Sequence, residues 1–433
     1  MATRKINIVT LGCSKNVVDS EVLMKQLDVD GWKVVHDSND TSAKVVVINT
    51  CGFIVDAKEE SIETILRFIN AKNTGLIDRV YVMGCLSQRY KDQLVNEIPE
   101  VDGFYGVSDL PIILEDLKSK YKKEISTHRL IQTPKHYAYL KISEGCNWGC
   151  SYCAIPLIRG KHISRSIESL VDEANDLANQ GVKELIIIAQ DSTYYGLDIY
   201  GKRALPELID SLSKINGIEW IRLHYAYPSN FPLELIDTIK NNPKVCKYID
   251  IPFQHISDKM LKIMRRGITK NETIELIDHI RKKIPDIVIR STFLVGHPGE
   301  TEEDFDELIQ LLKTQRFERV GVFPYSEEEG TYSANKYLDD IATEEKERRA
   351  SNLMDIQRDI AFNHNQNRIG RTYKVIIDRF EEKTIIGRTE FDSPEVDQEV
   401  IIKDMGDKKI NIGDFIKVKI TACDDYDLFG DVI

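Results

Sequence analysis

Apolar and polar positions follow three different patterns along this chain. Over the first 120 residues, short unbroken apolar runs ("KINIVTLGC", "AKVVVINTC", "RVYVMGC", "GFYGVS") alternate with stretches of helical spacing ("VVDSEVLMKQL", "DAKEESIETILRFIN", "LSQRYKDQLVNEI", "LPIILEDLKSKY"). Unbroken apolar strands are buried on both faces, so this pattern predicts a parallel sheet covered by helices. Residues 121–136 read as a connection. A second alternating region, about 137–335, offers six strands: Tyr137–Ile142, Glu184–Ala189, Trp220–Tyr225, Tyr248–Pro252, Val288–Val295 and Val320–Pro324. With helical stretches between them, they predict a full or partial βα barrel. The Gly-free stretch 341–368 reads as one long helix. From 372 onward, "YKVIIDRF", "KTIIGRTE", "EVIIKD" and "DFIKVKITAC", with turns such as "MGDKK" and "NIGD", predict a small β-barrel. The expected class is α/β. A parallel α/β sheet domain occupies 1–122, a central partial (βα)6 barrel with its helical connector 132–368, and a small all-β barrel 369–433.

Composition narrows this little: 42% hydrophobic and 30% charged residues are ordinary for a globular chain. No apolar run approaches the roughly 20 residues that span a bilayer. The N-terminus enters a strand-like run directly, without a signal peptide, so a cytoplasmic location and no membrane partner are expected. The net charge of −12 argues against a large nonspecific nucleic-acid surface and favours a basic protein partner.

The eight cysteines change the picture. In a cytosolic chain they suggest metal or redox chemistry rather than disulfides. Cys246 and Cys423 stand alone and read as plain buried residues. Cys13, Cys51 and Cys85 are far apart in sequence, but each ends a predicted parallel strand just before a helix. Those ends share one sheet edge, where ligands bind, so the three can converge on one metal centre. Helix N-termini nearby favour thiolates. Three core cysteines that happen to end strands are the alternative, and the flanking Gly12, Gly52 and Gly84 speak against it.

Cys146, Cys150 and Cys153 lie in "EGCNWGCSYCAIP", just after the first strand of the second region. Three thiolates can ligate three irons of a four-iron cluster and leave the fourth open. Zinc competes through the Cys150–Cys153 pair but needs a fourth ligand, for which His162 is the candidate, and a second knuckle is missing.

The C-x3-C-x2-C spacing with Tyr152 before the last cysteine resembles the radical S-adenosylmethionine (SAM) superfamily. The resemblance implies a partial βα barrel whose open iron binds the amino and carboxylate groups of S-adenosylmethionine. Reductive cleavage then yields a 5′-deoxyadenosyl radical. Over nearly the whole chain, the order of parts resembles the methylthiotransferases, which implies a second [4Fe-4S] cluster on the N-terminal cysteines and names the last barrel a TRAM domain. The implied metal ligands are Cys13, Cys51 and Cys85 at one cluster, and Cys146, Cys150 and Cys153 at the other, where S-adenosylmethionine also binds.

One branch of that family modifies a tRNA adenosine, the other an aspartate of ribosomal protein uS12. "LGCSKNVVDSE" (11–21), "GCNWGCSYCAIPLIRGKHISRSIESLVDEA" (145–174), "IPFQHISDKMLKIMRRG" (251–267), "YSEEEGTYSA" (325–334) and "GRTEFDSPEVD" (387–397) resemble the second branch. His297 in "VGHPGET" departs from its pattern, which usually has Phe, and could alter packing near the cofactor. The implied reaction adds a methylthio group to the aspartate β-carbon, giving 3-methylthioaspartate. The alternatives are a tRNA methylthiotransferase and a non-enzymatic iron–sulfur or RNA-binding scaffold. Residues 372–433 carry nine Lys/Arg and fifteen Asp/Glu, a net of −6. An acidic module suits a basic ribosomal protein, free or in the small subunit, better than tRNA phosphates. A low-potential electron donor such as flavodoxin or ferredoxin is also implied. Gln190 and Asp191 sit where the superfamily often contacts the cofactor's methionine part. Arg290 lies near the start of the fifth strand. Each can equally be structural.

Overall fold

The computed structural model describes residues 4–38, 42–382, 384–403 and 409–433. Strands β1 (Lys5–Thr10), β2 (Lys33–His36), β3 (Val45–Thr50), β4 (Arg79–Gly84) and β5 (Gly103–Tyr105) form a parallel sheet in the order β2-β1-β3-β4-β5. Alternate residues feed two apolar layers. Ile6, Ile8, Val47 and Tyr81 pack with Leu23 and Leu27 on one face. Val9, Val46, Ile48, Val80 and Val82 pack with Ile65 and Leu94 on the other. The apolar pattern predicts four strands here; the fifth, β2, is a four-residue edge strand with no fully buried position and so carries no such pattern.

Strand β6 (Tyr137–Lys141) opens the central region, and a two-stranded antiparallel ribbon, β7 (Ser143–Glu144) with β8 (Ile163–Ser164), brackets the cysteine loop. Then follow β9 (Glu184–Ile188), β10 (Trp220–Leu223), β11 (Val245–Asp250), β12 (Val288–Val295) and β13 (Arg319–Pro324). The sheet order is β13-β12-β11-β10-β9-β6, with parallel pairs throughout, so all six expected strands form a barrel left open between β6 and β13. Ala138, Leu140, Leu185, Ile187, Leu223 and Ile249 face the helical layer. The intervening Tyr137, Tyr139, Ile186 and Ile188 face inward. Val18, from the helix Ser14–Val29 of the first region, packs on that inner cluster and joins the two regions.

The long helix, Thr343–Gln366, packs Leu353 and Ile360 into the central core. The last strands are β14 (Thr372–Glu381), β15 (Thr384–Thr389), β16 (Val400–Ile402), β17 (Phe415–Cys423) and β18 (Leu428–Val432). They close a barrel in the order β14-β15-β16-β18-β17 around Val375, Ile385, Val400, Val418 and Leu428. β18, which follows the acidic turn "DDYD", is the one strand of this barrel that the pattern does not predict. The segment 390–398 leaves this barrel and enters the central one. Asp392 pairs with Arg319 at 2.6 Å, Asp397 accepts from Tyr248 Oη at 2.8 Å, and Glu395 accepts from the hydroxyls of Tyr137 and Tyr139. No helix among the described residues is long and apolar enough to cross a membrane.

Candidate functional site

Cys13, Cys51 and Cys85 follow β1, β3 and β4, so the sheet brings them to one edge at the β1/β3 switch point. Cys13 caps the helix Ser14–Val29 and Cys85 opens the helix Cys85–Glu97. Only glycine fits at position 12: φ is +89°, and a Cβ there would lie 2.7 Å from Cys51 Cβ. Cys13 is exposed, while Cys51 and Cys85 are buried. Burial raises the Cys51 and Cys85 thiols, the latter to about 11, and Cys13 raises both further. At Cys51 and Cys85 desolvation therefore works against ready-made thiolates. Iron binding would have to displace the protons.

Cys146, Cys150 and Cys153 occupy the loop between β7 and the helix Ile155–Arg159. Burial, then the Cys150 sulfur, lifts the Cys153 thiol to about 12; burial also takes Cys146 to about 12. Arg266 Nη1 donates to Cys150 Sγ at 3.2 Å and lies over the Tyr227 ring at 4.3 Å. Tyr227 Oη lies 3.4 Å from the same sulfur, and its ring stacks on Trp148 at 4.1 Å. Trp148 Nε1 donates to Asp191 Oδ2 at 2.6 Å. Asp191 thus positions the loop's aromatic wall. Gln190 Nε2 donates to Glu144 at 3.0 Å, and its buried Oε1 has no partner among the described residues. Arg290 faces Asp250 at 3.4 Å and Asp397 at 3.5 Å, at the end of the barrel that the 390–398 segment enters.

Arg159 joins the two triads. It closes the helix that follows Cys153, and its side chain crosses to the first sheet. Nη2 donates to Asn16 Oδ1 at 2.7 Å and Cys85 Sγ at 3.4 Å, and Nη1 to Glu144 at 2.8 Å and Asp19 at 3.3 Å. Cys85 also packs on Ala154 and Ile158 of the cysteine loop and helix. On the other side, Glu328 of "YSEEEG" pairs with Arg89 at 2.5 Å and Lys58 at 3.0 Å. The sequence reading found the cysteines but not Arg159, Arg266, Trp148 or Tyr227. All four sit inside or near quoted motifs, yet spacing does not say which sulfur a distant cation will face.

The donor sets do not form a single-ion site. A zinc ion draws its thiolates within about 2.3 Å of itself. No three His, Cys, Asp or Glu side chains among the described residues are gathered that tightly. His162, the candidate fourth zinc ligand, instead places Nε2 3.0 Å from Ser164 Oγ. Three free thiols in each triad are the donor type that an iron–sulfur cluster takes. His297 is fully buried and bonds Ser333 Oγ at 2.7 Å, filling its site with a polar contact. Cys246 is buried as expected; Cys423 is only half-buried, on the last barrel.

Sequence comparisons agree with this layout. Residues 140–312 match the Radical SAM superfamily, 5–106 the Uncharacterized protein family UPF0004, and 369–433 the TRAM domain. Among solved structures, the chain resembles the radical S-adenosylmethionine methyltransferase TsrM from Kitasatospora setae. The TM-score is 0.56 at 17% identity, covering 77% of each chain, a likeness of fold. Fold and site together define a radical SAM enzyme, whose family implies an iron–sulfur cluster and S-adenosylmethionine. The chain is 55% identical, over 100% of both sequences, to a Phocaeicola vulgatus protein named "Ribosomal protein uS12 methylthiotransferase RimO". It is 55% identical to one of the same name from Cytophaga hutchinsonii, covering 99% of this chain and 98% of that one. It is 53% identical to another from Bacteroides thetaiotaomicron, covering 100% and 99%. The chain belongs to this RimO family of radical SAM methylthiotransferases.

Proposed function

We propose that this protein adds a methylthio group to the β-carbon of an aspartate in ribosomal protein uS12. The region 1–122 would carry an auxiliary [4Fe-4S] cluster on Cys13, Cys51 and Cys85. The region 132–368 would carry the second on Cys146, Cys150 and Cys153, with S-adenosylmethionine, and 369–433 is the TRAM module. When bound, these groups supply the electron, radical and sulfur chemistry. The observation that supports the reading most is Arg159, which hydrogen-bonds Cys85 while standing directly after the Cys146–Cys153 loop.

The chain's own residues then have plain tasks. Arg266 places a cation on Cys150, and Trp148 stacked on Tyr227 walls the loop against water. On the inner barrel face Tyr137, Tyr139 and Ile186 pack with Val18 and so hold the two regions together. Part of the TRAM acidity is spent inside the chain: Asp378 pairs with Arg388, Asp392 with Arg319 and Glu399 with Arg379. The acids left for a basic partner include the exposed Asp424, Asp425 and Asp431. This patch would meet uS12, and a flavodoxin- or ferredoxin-type donor would supply the electrons. Mass spectrometry tests the reading. Reduced, cluster-loaded protein should add a methylthio group to uS12 and not to tRNA, and the opposite outcome would sink it.

A further inference from the structure

Lys15 lies in the first turn of the helix Ser14–Val29, two residues after Cys13, and is only 9% exposed. Its ammonium sits 3.6 Å from the centre of the Tyr225 ring and, among the described residues, makes no ion pair. The nearby acids are engaged elsewhere. Asp19 and Glu144 hold Lys141 and Arg159, Asp250 faces Arg290, and Glu395 receives Tyr137 and Tyr139. An ammonium held against a π face with no carboxylate partner can accept an anion. Tyr225 is held at φ +59°, an uncommon conformation for an aromatic residue and one that tends to mark ligand sites. Tyr225 packs against the inner cluster of Val18, Tyr139 and Ile188, so Lys15 reaches the inside of the barrel. After burial, Arg222, Arg290 and Lys15 are the charges that keep the nearby His224 imidazole neutral.

We propose that Lys15 is the specificity-determining residue of the substrate site, its ammonium binding the side-chain carboxylate of the aspartate to be modified. This rests on the uS12 reading above. The reacting β-carbon is one bond from that carboxylate. Anchoring the carboxylate on a residue adjacent to the first triad therefore fixes the carbon between the two cysteine sites. A nucleobase offers no such anion.

The test is fluorescence anisotropy on cluster-loaded, S-adenosylmethionine-bound protein, with two labelled uS12 peptides. One carries the target aspartate and the other asparagine in its place. The wild type should prefer the aspartate peptide by about tenfold, as expected for one desolvated charge pair. Lys15→Met should abolish the preference and Lys15→Arg should keep part of it. Lys15→Met gives up the Tyr225 ring contact but keeps an apolar chain of similar length, so its Tm should stay close to that of the wild type. Should Lys15→Met fail to fold, Lys15→Gln repeats the comparison. A preference that survives in the folded variant overturns the proposal, as does a wild type with no preference. Weakened S-adenosylmethionine binding in Lys15→Met with the peptide preference intact also overturns it, by assigning the ammonium to the cofactor's carboxylate. Wild-type protein that prefers the aspartate peptide yet leaves uS12 unmodified overturns the uS12 reading alone.

Discussion

The two cysteine triads arise by opposite routes. Cys146, Cys150 and Cys153 come from one loop, bracketed by the β7–β8 ribbon, and their grouping is a property of local chain geometry. Cys13, Cys51 and Cys85 come from three strands and meet only because the sheet orders β1, β3 and β4 side by side. Both have a sulfur faced by a buried arginine: Cys150 by Arg266, from within the central region, and Cys85 by Arg159, from across the boundary between regions. A loop-built site carries its own support. A sheet-built site borrows support from a neighbour, so its integrity reports on how the two regions are docked.

Four experiments break or sharpen that contrast. The largest effect is expected from the cysteines themselves. Replacing Cys146, Cys150 and Cys153 by Ala should abolish all S-adenosylmethionine cleavage. Replacing Cys13, Cys51 and Cys85 should preserve cleavage, stop sulfur transfer and lower bound iron by about half. Iron assay with chromatography of 5′-deoxyadenosine reads both, and surviving thiolation in the second variant would remove the first triad from the chemistry. Next, Arg159→Met strips Asp19 and Glu144 of a buried partner. It should cost about 3 kcal/mol in denaturant unfolding and lower the iron of the first triad before that of the second. Arg266→Met should affect only the loop-built site, and equal losses at both would erase the distinction.

A smaller effect concerns pH. Burial alone would raise the Glu144 carboxyl, but Lys141 and Arg159 together outweigh it and hold the group at about 2. A carboxyl depressed in the folded state stabilises above its ordinary value of 4.5, and that contribution drains away as pH falls toward 2. The Tm of the wild type should therefore fall more steeply than that of Glu144→Gln between about pH 5 and 3. Parallel slopes would mean that the docking charges are not coupled to folding. The smallest effect is at His297. Substitution by Phe leaves the Ser333 hydroxyl without its 2.7 Å partner and should cost about 1 kcal/mol, with cluster content unchanged.

The sequence was readable wherever one residue pattern decides one element. The six central strands are short, mostly apolar runs set between helix-spaced stretches, and the long connector is Gly-free and helix-spaced, so both emerge from the sequence pattern. β2 and β18 were missed because a short, partly exposed strand has no strong pattern. The six cysteines stood out by residue type and by position at strand ends or in one loop. Arg159, Arg266 and Lys15 did not, since an arginine or lysine reads as a solvated charge until tertiary structure shows what it faces. The acidity of the last module was legible as a sum but not in its use: Asp392 and Asp397 are internal counter-ions.

The segment 390–398 gives the last barrel a second identity, as a stopper in the central one. Arg222 donates to Glu390 O at 2.8 Å, Ser393 Oγ meets His224 Nε2 at 2.9 Å, and Arg388 pairs with Glu184 at 2.9 Å. The module is therefore not a portable attachment. A chimera that exchanges it between relatives also transplants the central barrel's floor, and one that swaps recognition surfaces without matching Arg222, His224 and Arg319 would inherit a leak.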